Sequence, residues 1–114
     1  MATFAFVMPV LPGKEDVDRE TMQRFSSGEE SGAFAAAFKS KGITRHAVWH
    51  QATPDGTLAI VVFEGDAIES AIGAMATSDE PFDKRFRAFL EDVHGVDIAT
   101  SPPPDVRPVI DCRF

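Results

Sequence analysis

The chain has 114 residues, of which 44% are hydrophobic and 25% charged, and it carries a formal net charge of -7. That length suits one domain with one core, and the composition is that of a globular chain rather than a disordered one. The acidic balance opposes phosphate backbones and anionic lipid, so neither nucleic acid nor a membrane surface is an expected partner, and the single cysteine, Cys112, excludes an internal disulfide.

Residues 4–10, rich in Phe, Val and Met, predict a first strand ended by Pro9 and Pro12-Gly13. Residues 14–25 turn helical: Glu15 and Asp16 sit where the helix dipole favours acids, and Val17, Thr21 or Met22, and Phe25 recur at helical spacing. Ser26-Ser27-Gly28 breaks this helix, Ser31 caps a continuation through Phe38, and Gly42 stops it. A hairpin follows. Its arms are residues 43–52 and 57–64, and Thr53-Pro54-Asp55-Gly56 is the turn, with Pro presetting one backbone angle and Gly accepting another.

Asp66 is placed to cap a third helix, with Glu69 three residues on and Ile68, Ala71, Ile72 and Met75 as its apolar stripe. Pro81 suits the first turn of a fourth, whose apolar face is Phe82, Phe86, Phe89, Leu90 and Val93. Asp83, Arg87 and Glu91 follow at four-residue intervals on its solvent side, and His94-Gly95 closes it. Residues 96–99 predict a short last strand. Ser101-Pro102-Pro103-Pro104 is extended and opens a C-terminal extension, residues 101–114, that packs on the domain of residues 1–100 or on a dimer partner. The order is β-α-β-β-α-β: an α+β, ferredoxin-like antiparallel sheet with helices on one face.

Strand alternation makes that sheet apolar on both sides. Leu58, Ile60 and Val62 face one way and Ala59, Val61 and Phe63 the other, while Phe4, Phe6 and Met8 oppose Ala5 and Val7. Helices cover one side. The other would leave roughly several hundred Å2 of apolar surface wet, more than a soluble monomer tolerates. A two-fold homodimer, sheet to sheet, is the expected answer; the competing arrangement is a monomer with its own tail laid across the sheet.

Gly42-Ile43-Thr44-Arg45, Trp49-His50-Gln51, Thr53-Pro54-Asp55-Gly56, Phe63-Glu64-Gly65-Asp66 and Ser78-Asp79-Glu80-Pro81-Phe82-Asp83 to His94-Gly95-Val96-Asp97 together resemble a family of small bacterial proteins of unassigned function. That family lies within the dimeric α+β barrel group of ferredoxin-like folds, and the resemblance spans about residues 3 to 98. It implies the fold and the dimer, and it attaches no catalytic residue. The wider group includes cofactor-independent monooxygenases, small-molecule isomerases and haem-handling enzymes, among which fold alone does not choose.

The chemistry-bearing residues gather on the hairpin. His46 and His50, on one strand, share a face but lie roughly 13 Å apart, too far to share a metal, so no metal site is expected. Either could act as a general base, with His50 facing Ile60 and with Glu64 facing and orienting His46. Trp49, Gln51 and Phe63 are the expected ligand-contacting residues, on the opposite face with Ala47 and Ala59 and lining a pocket between two sheets. His94 is read as a helix cap and Cys112 as an ordinary thiol. No phosphate loop, dinucleotide fingerprint or nucleophile elbow is present, and no cofactor is expected. Without a basic-then-apolar leader or an apolar run near ~20 residues, the expected location is cytoplasmic. The expected function is small-molecule binding by a homodimer; the alternative is a cofactor-free enzyme using His46 or His50.

Overall fold

The computed structural model describes residues 2–114. Among them, three strands and four helices follow one another as β1 (Ala2–Val10), α1 (Glu15–Ser27), α2 (Ser31–Lys39), β2 (Ile43–Thr53), β3 (Gly56–Gly65), α3 (Ile68–Thr77) and α4 (Pro81–His94). The sheet is antiparallel, in the order β1-β3-β2. Residues 96–99, where a fourth strand is expected, lead instead into a turn at residues 98–100. The Asp97 carboxylate accepts the Ala99 N–H at 3.1 Å, and the Asp97 carbonyl accepts the Ser101 N–H at 2.8 Å, so this backbone is satisfied locally.

The hairpin turn is tight. Thr53 pairs directly with Gly56, whose φ of 132° suits glycine. The Thr53 hydroxyl donates to the Gly56 carbonyl at 2.7 Å and accepts the Asp55 N–H at 3.2 Å. That turn sets His50 opposite Ala59 and His46 opposite Phe63. The expected partners, Ile60 and Glu64, were one residue out, and a one-residue slip exchanges the faces. At the far end the register shifts between Ile43 and Arg45, leaving Thr44 as the extra residue of a bulge. Gly65 closes β3 so near β2 that an added Cβ would stand 2.5 Å from the Gly42 carbonyl oxygen.

All four helices contribute to the core on one face of the sheet. Phe25 of α1, Phe38 of α2, Met75 of α3 and Phe86 and Leu90 of α4 bury against Met8, Val61 and Phe63. The opposite face carries Val7, 59% exposed, and Trp49, 50% exposed, with Leu58, Ile60 and Val62 half-buried between them. The tail does not shield it: Val109, Ile110 and Phe114 are themselves exposed.

The α4 expectations hold at its ends and fail on its solvent side. Pro81 opens the helix and Gly95, with φ of 67°, ends it. Asp83, however, is buried and pairs with Lys41 at 3.0 Å, while Arg87 donates instead to the Met75 carbonyl at 2.7 Å and so satisfies the end of α3. Asp66 does not cap α3, which begins at Ile68 with no side-chain cap. Lys41 also donates to the Ala37 carbonyl of α2 at 2.8 Å, so its one ammonium group ties the end of α2 to α4. Removing one partner of a buried pair leaves the other uncompensated, so Asp83→Asn should cost about 3 kcal/mol in chemical denaturation. A loss below about 1 kcal/mol would show that the pair contributes little.

Candidate functional site

Between the helix-covered face of the sheet and helices α1, α3 and α4 lies a cavity of about 740 Å3. Six phenylalanines line it (Phe4, Phe6, Phe38, Phe63, Phe86 and Phe89), together with the methionines of β1, α1 and α3. Exposed residues such as Thr3, Glu69 and Pro102 mark its rim, where the start of the C-terminal extension runs past. A volume of this size is typical of small-molecule sites, as is a mainly apolar wall with few polar groups.

Two polar features meet that wall. The first is Asp18, 1% exposed, on α1. The helical pattern had pointed Val17 inward, but Val17 is 38% exposed and the buried face is Asp18, Thr21 and Phe25. His50 of β2 donates from Nε2 to an Asp18 oxygen at 2.5 Å, and His94 Nε2 of α4 stands 3.7 Å from the other oxygen. Desolvation pushes the Asp18 carboxyl up; the nearby His94 and the bonded His50 pull it down and prevail, so it sits below its ordinary value. His94 Nδ1 donates to the Pro9 carbonyl at 2.8 Å, and the Leu11 N–H donates to the Val93 carbonyl at 2.8 Å. His94 therefore fastens the end of α4 to β1 rather than capping its own helix.

The second feature is His46. Its ring packs among Phe63 (4.6 Å between centroids), Phe38 (4.7 Å), Phe34 (5.4 Å) and Phe86 (6.3 Å). It lines the cavity, and its Nδ1 is sealed from solvent without a hydrogen-bond partner. Burial pushes its pKa down to about 4, so the ring is neutral at pH 7.

Of the residues expected at a site, the structure brings His46 and Phe63 together on the cavity wall and holds His50 behind it, against Asp18. It separates the rest. Trp49 and Gln51 project from the open face, opposite Ile60 and Leu58. Glu64, also on that face, makes no contact with His46 and instead accepts from Arg45 Nη1 at 2.9 Å. Sequence reasoning missed Asp18 and the burial of His94. The one available signal was an acid within the apolar turn of α1, and its partners lie far along the chain.

No family model matches this chain, and no curated protein or solved structure proved similar to it. The functional reading therefore rests on geometry. Among the described residues, no helix is long and apolar enough to cross a membrane.

The unfolded chain protonates His46 near pH 6.5 and the folded protein only near 4. Folding stability contributed by the neutral ring is thus complete above pH 6.5 and is lost as pH falls from 6.5 to 4, by about 3 kcal/mol. Asp18 acts in the same direction at lower pH: its contribution is present above the ordinary carboxylate value of 3.8 and is lost below it. Urea denaturation across pH 4–7 should show this fall, and His46→Phe should flatten it. An identical slope in the variant would contradict the assignment.

Proposed function

We propose that this protein binds a small, largely apolar molecule, and that it works as a homodimer. The observation that carries the first part is the cavity of about 740 Å3, with six phenylalanines in its wall. We place the ligand there, under the helices, rather than between two sheets, because the open face presents only a half-exposed Trp49 and its apolar neighbours. That open face supports the second part. Val7, Trp49, Leu58 and Ile60 form an apolar surface that neither helix nor tail covers, and a second copy would bring the same apolar surface to it. The strand order β1-β3-β2 with helices on one face is compatible with a ferredoxin-like plan short of its fourth strand, and pairing two such sheets would give an α+β barrel.

A second reading, a cofactor-free enzyme, is favoured by one observation. The Asp18–His50 pair, with His94 beside it, sets a carboxylate on the cavity wall with an imidazole bonded behind it. His46, with its pKa pushed down to about 4, is a weak proton acceptor and suits binding better than catalysis. If a ligand that co-purifies with the protein is recovered chemically unchanged after prolonged aerobic incubation, the enzymatic reading fails.

The neutral fluorescent probe N-phenyl-1-naphthylamine should bind with saturation and a large emission gain. Light scattering should give twice the 12.4 kDa chain mass at micromolar concentration, and emission of the single tryptophan should shift to the red on dilution as Trp49 is uncovered. Non-saturable probe signal would contradict the binding site; a monomer mass with concentration-independent Trp49 emission would contradict the dimer.

A further inference from the structure

We infer that His46 is the polar anchor of the cavity and that its ligand is a neutral, flat aromatic compound bearing one hydroxyl group. The inference rests on the cavity being the ligand site and adds the ligand's chemical class.

Buried polar groups in folded proteins nearly always have partners, and each exception calls for an explanation. Among the described residues, His46 Nδ1 is the single buried side-chain nitrogen or oxygen without one. The other buried polar side chains are committed: Asp18 to His50, Asp83 to Lys41, His94 to the Pro9 carbonyl and Thr21 to Arg24. The exception thus falls on a ring that lines the cavity; Nδ1 itself is closed off there, and a turn of the ring about its Cβ–Cγ bond presents it to a ligand. A neutral imidazole has one donor and one acceptor nitrogen, and a hydroxyl both donates and accepts, so it suits either tautomer.

The charge of the ligand follows from the same inventory. Lys41 on the cavity wall is neutralised by Asp83 at 3.0 Å, and Asp18 is held by His50. Glu69 at the rim is acidic, while Asp105 there is paired with Arg107 at 3.5 Å. Among the described residues of the wall, a carboxylate or phosphate entering this space finds no unpaired lysine or arginine and passes the Glu69 carboxylate, so it is disfavoured. The shape follows from the wall. Phe38, Phe63 and Phe86 surround the imidazole, and Phe4, Phe6 and Phe89 continue the aromatic surface, which favours offset or edge-on contact with another flat ring.

Three probes of one ring system test this: 1-naphthol, naphthalene and 1-naphthoate, titrated into the full-length protein and into His46→Phe. The wild type should bind 1-naphthol about fivefold to tenfold more tightly than naphthalene, the gain of one neutral hydrogen bond, and 1-naphthoate more weakly than either. In His46→Phe the two neutral probes should bind alike. The 15N resonances of the wild-type His46 ring should move with 1-naphthol and stay in place with naphthalene, a readout independent of how the variant folds. Equal affinities in the wild type, a preference kept in the variant, immobile His46 resonances, or tightest binding of 1-naphthoate would each overturn the inference. If naphthalene and N-phenyl-1-naphthylamine bind while 1-naphthol shows no preference, the anchor falls and the binding cavity stands. If no probe binds, both fall.

Discussion

The pairing of β2 with β3 is the constraint on which the rest of this molecule depends. The Pro54-Asp55 turn sets Thr53 opposite Gly56, and the bulge at Thr44 absorbs the residue left over at the other end. Between these two points every side chain is assigned a face. A slip of one residue would carry His46, Val48 and His50 out from under the helices and put Trp49 and Gln51 in their place. The aromatic box around His46, the Asp18–His50 bond and the Ala59–Val61–Phe63 floor of the core all follow from that one register.

The two faces that result are chemically unlike. Under the helices, apolar packing is interrupted by a small number of polar groups, and three pairings tie distant elements together: α1 to β2 through Asp18 and His50, α4 to β1 through His94 and Pro9, the α2–β2 connection to α4 through Lys41 and Asp83. These bonds hold the helices at fixed positions around a space they do not fill. A well-packed core would close such a space. On the open face the polar groups are few and peripheral, with Arg45 and Glu64 paired at one end, and the centre is aliphatic around Trp49. The proposed division of labour, ligand under the helices and partner on the open face, follows this contrast.

Much of the architecture was legible because its signals are local. Thr53-Pro54-Asp55-Gly56 gave the turn, Pro81 and Gly95 gave the limits of α4, and the two-sided apolar alternation of β3 was plain in the six residues from Leu58 to Phe63. What was not legible depends on contacts across the chain. Asp18 sits beside an apolar Val17 in a helix whose periodicity fits either inward choice; only His50 and His94, on other elements, decide for the acid. Asp83 looked like a solvated acid of a helix start because Lys41 is not nearby in sequence. The expected last strand gave way to an Asp97 turn, and the separation of Trp49 and Gln51 from Phe63 turned on a single residue of register. His46 and Phe63 both lie on the cavity wall, on the face opposite to the one expected for Phe63.

The most direct measurement of the central claim uses the methionines. Met8, Met22 and Met75 all line the cavity under the helices, and Trp49 marks the open face. With 13C-methyl methionine, nuclear Overhauser effects from bound N-phenyl-1-naphthylamine should reach these three methyl groups and leave the Trp49 indole untouched. Contacts to the indole with none to the methyl groups would place the ligand on the opposite side of the sheet and contradict the account.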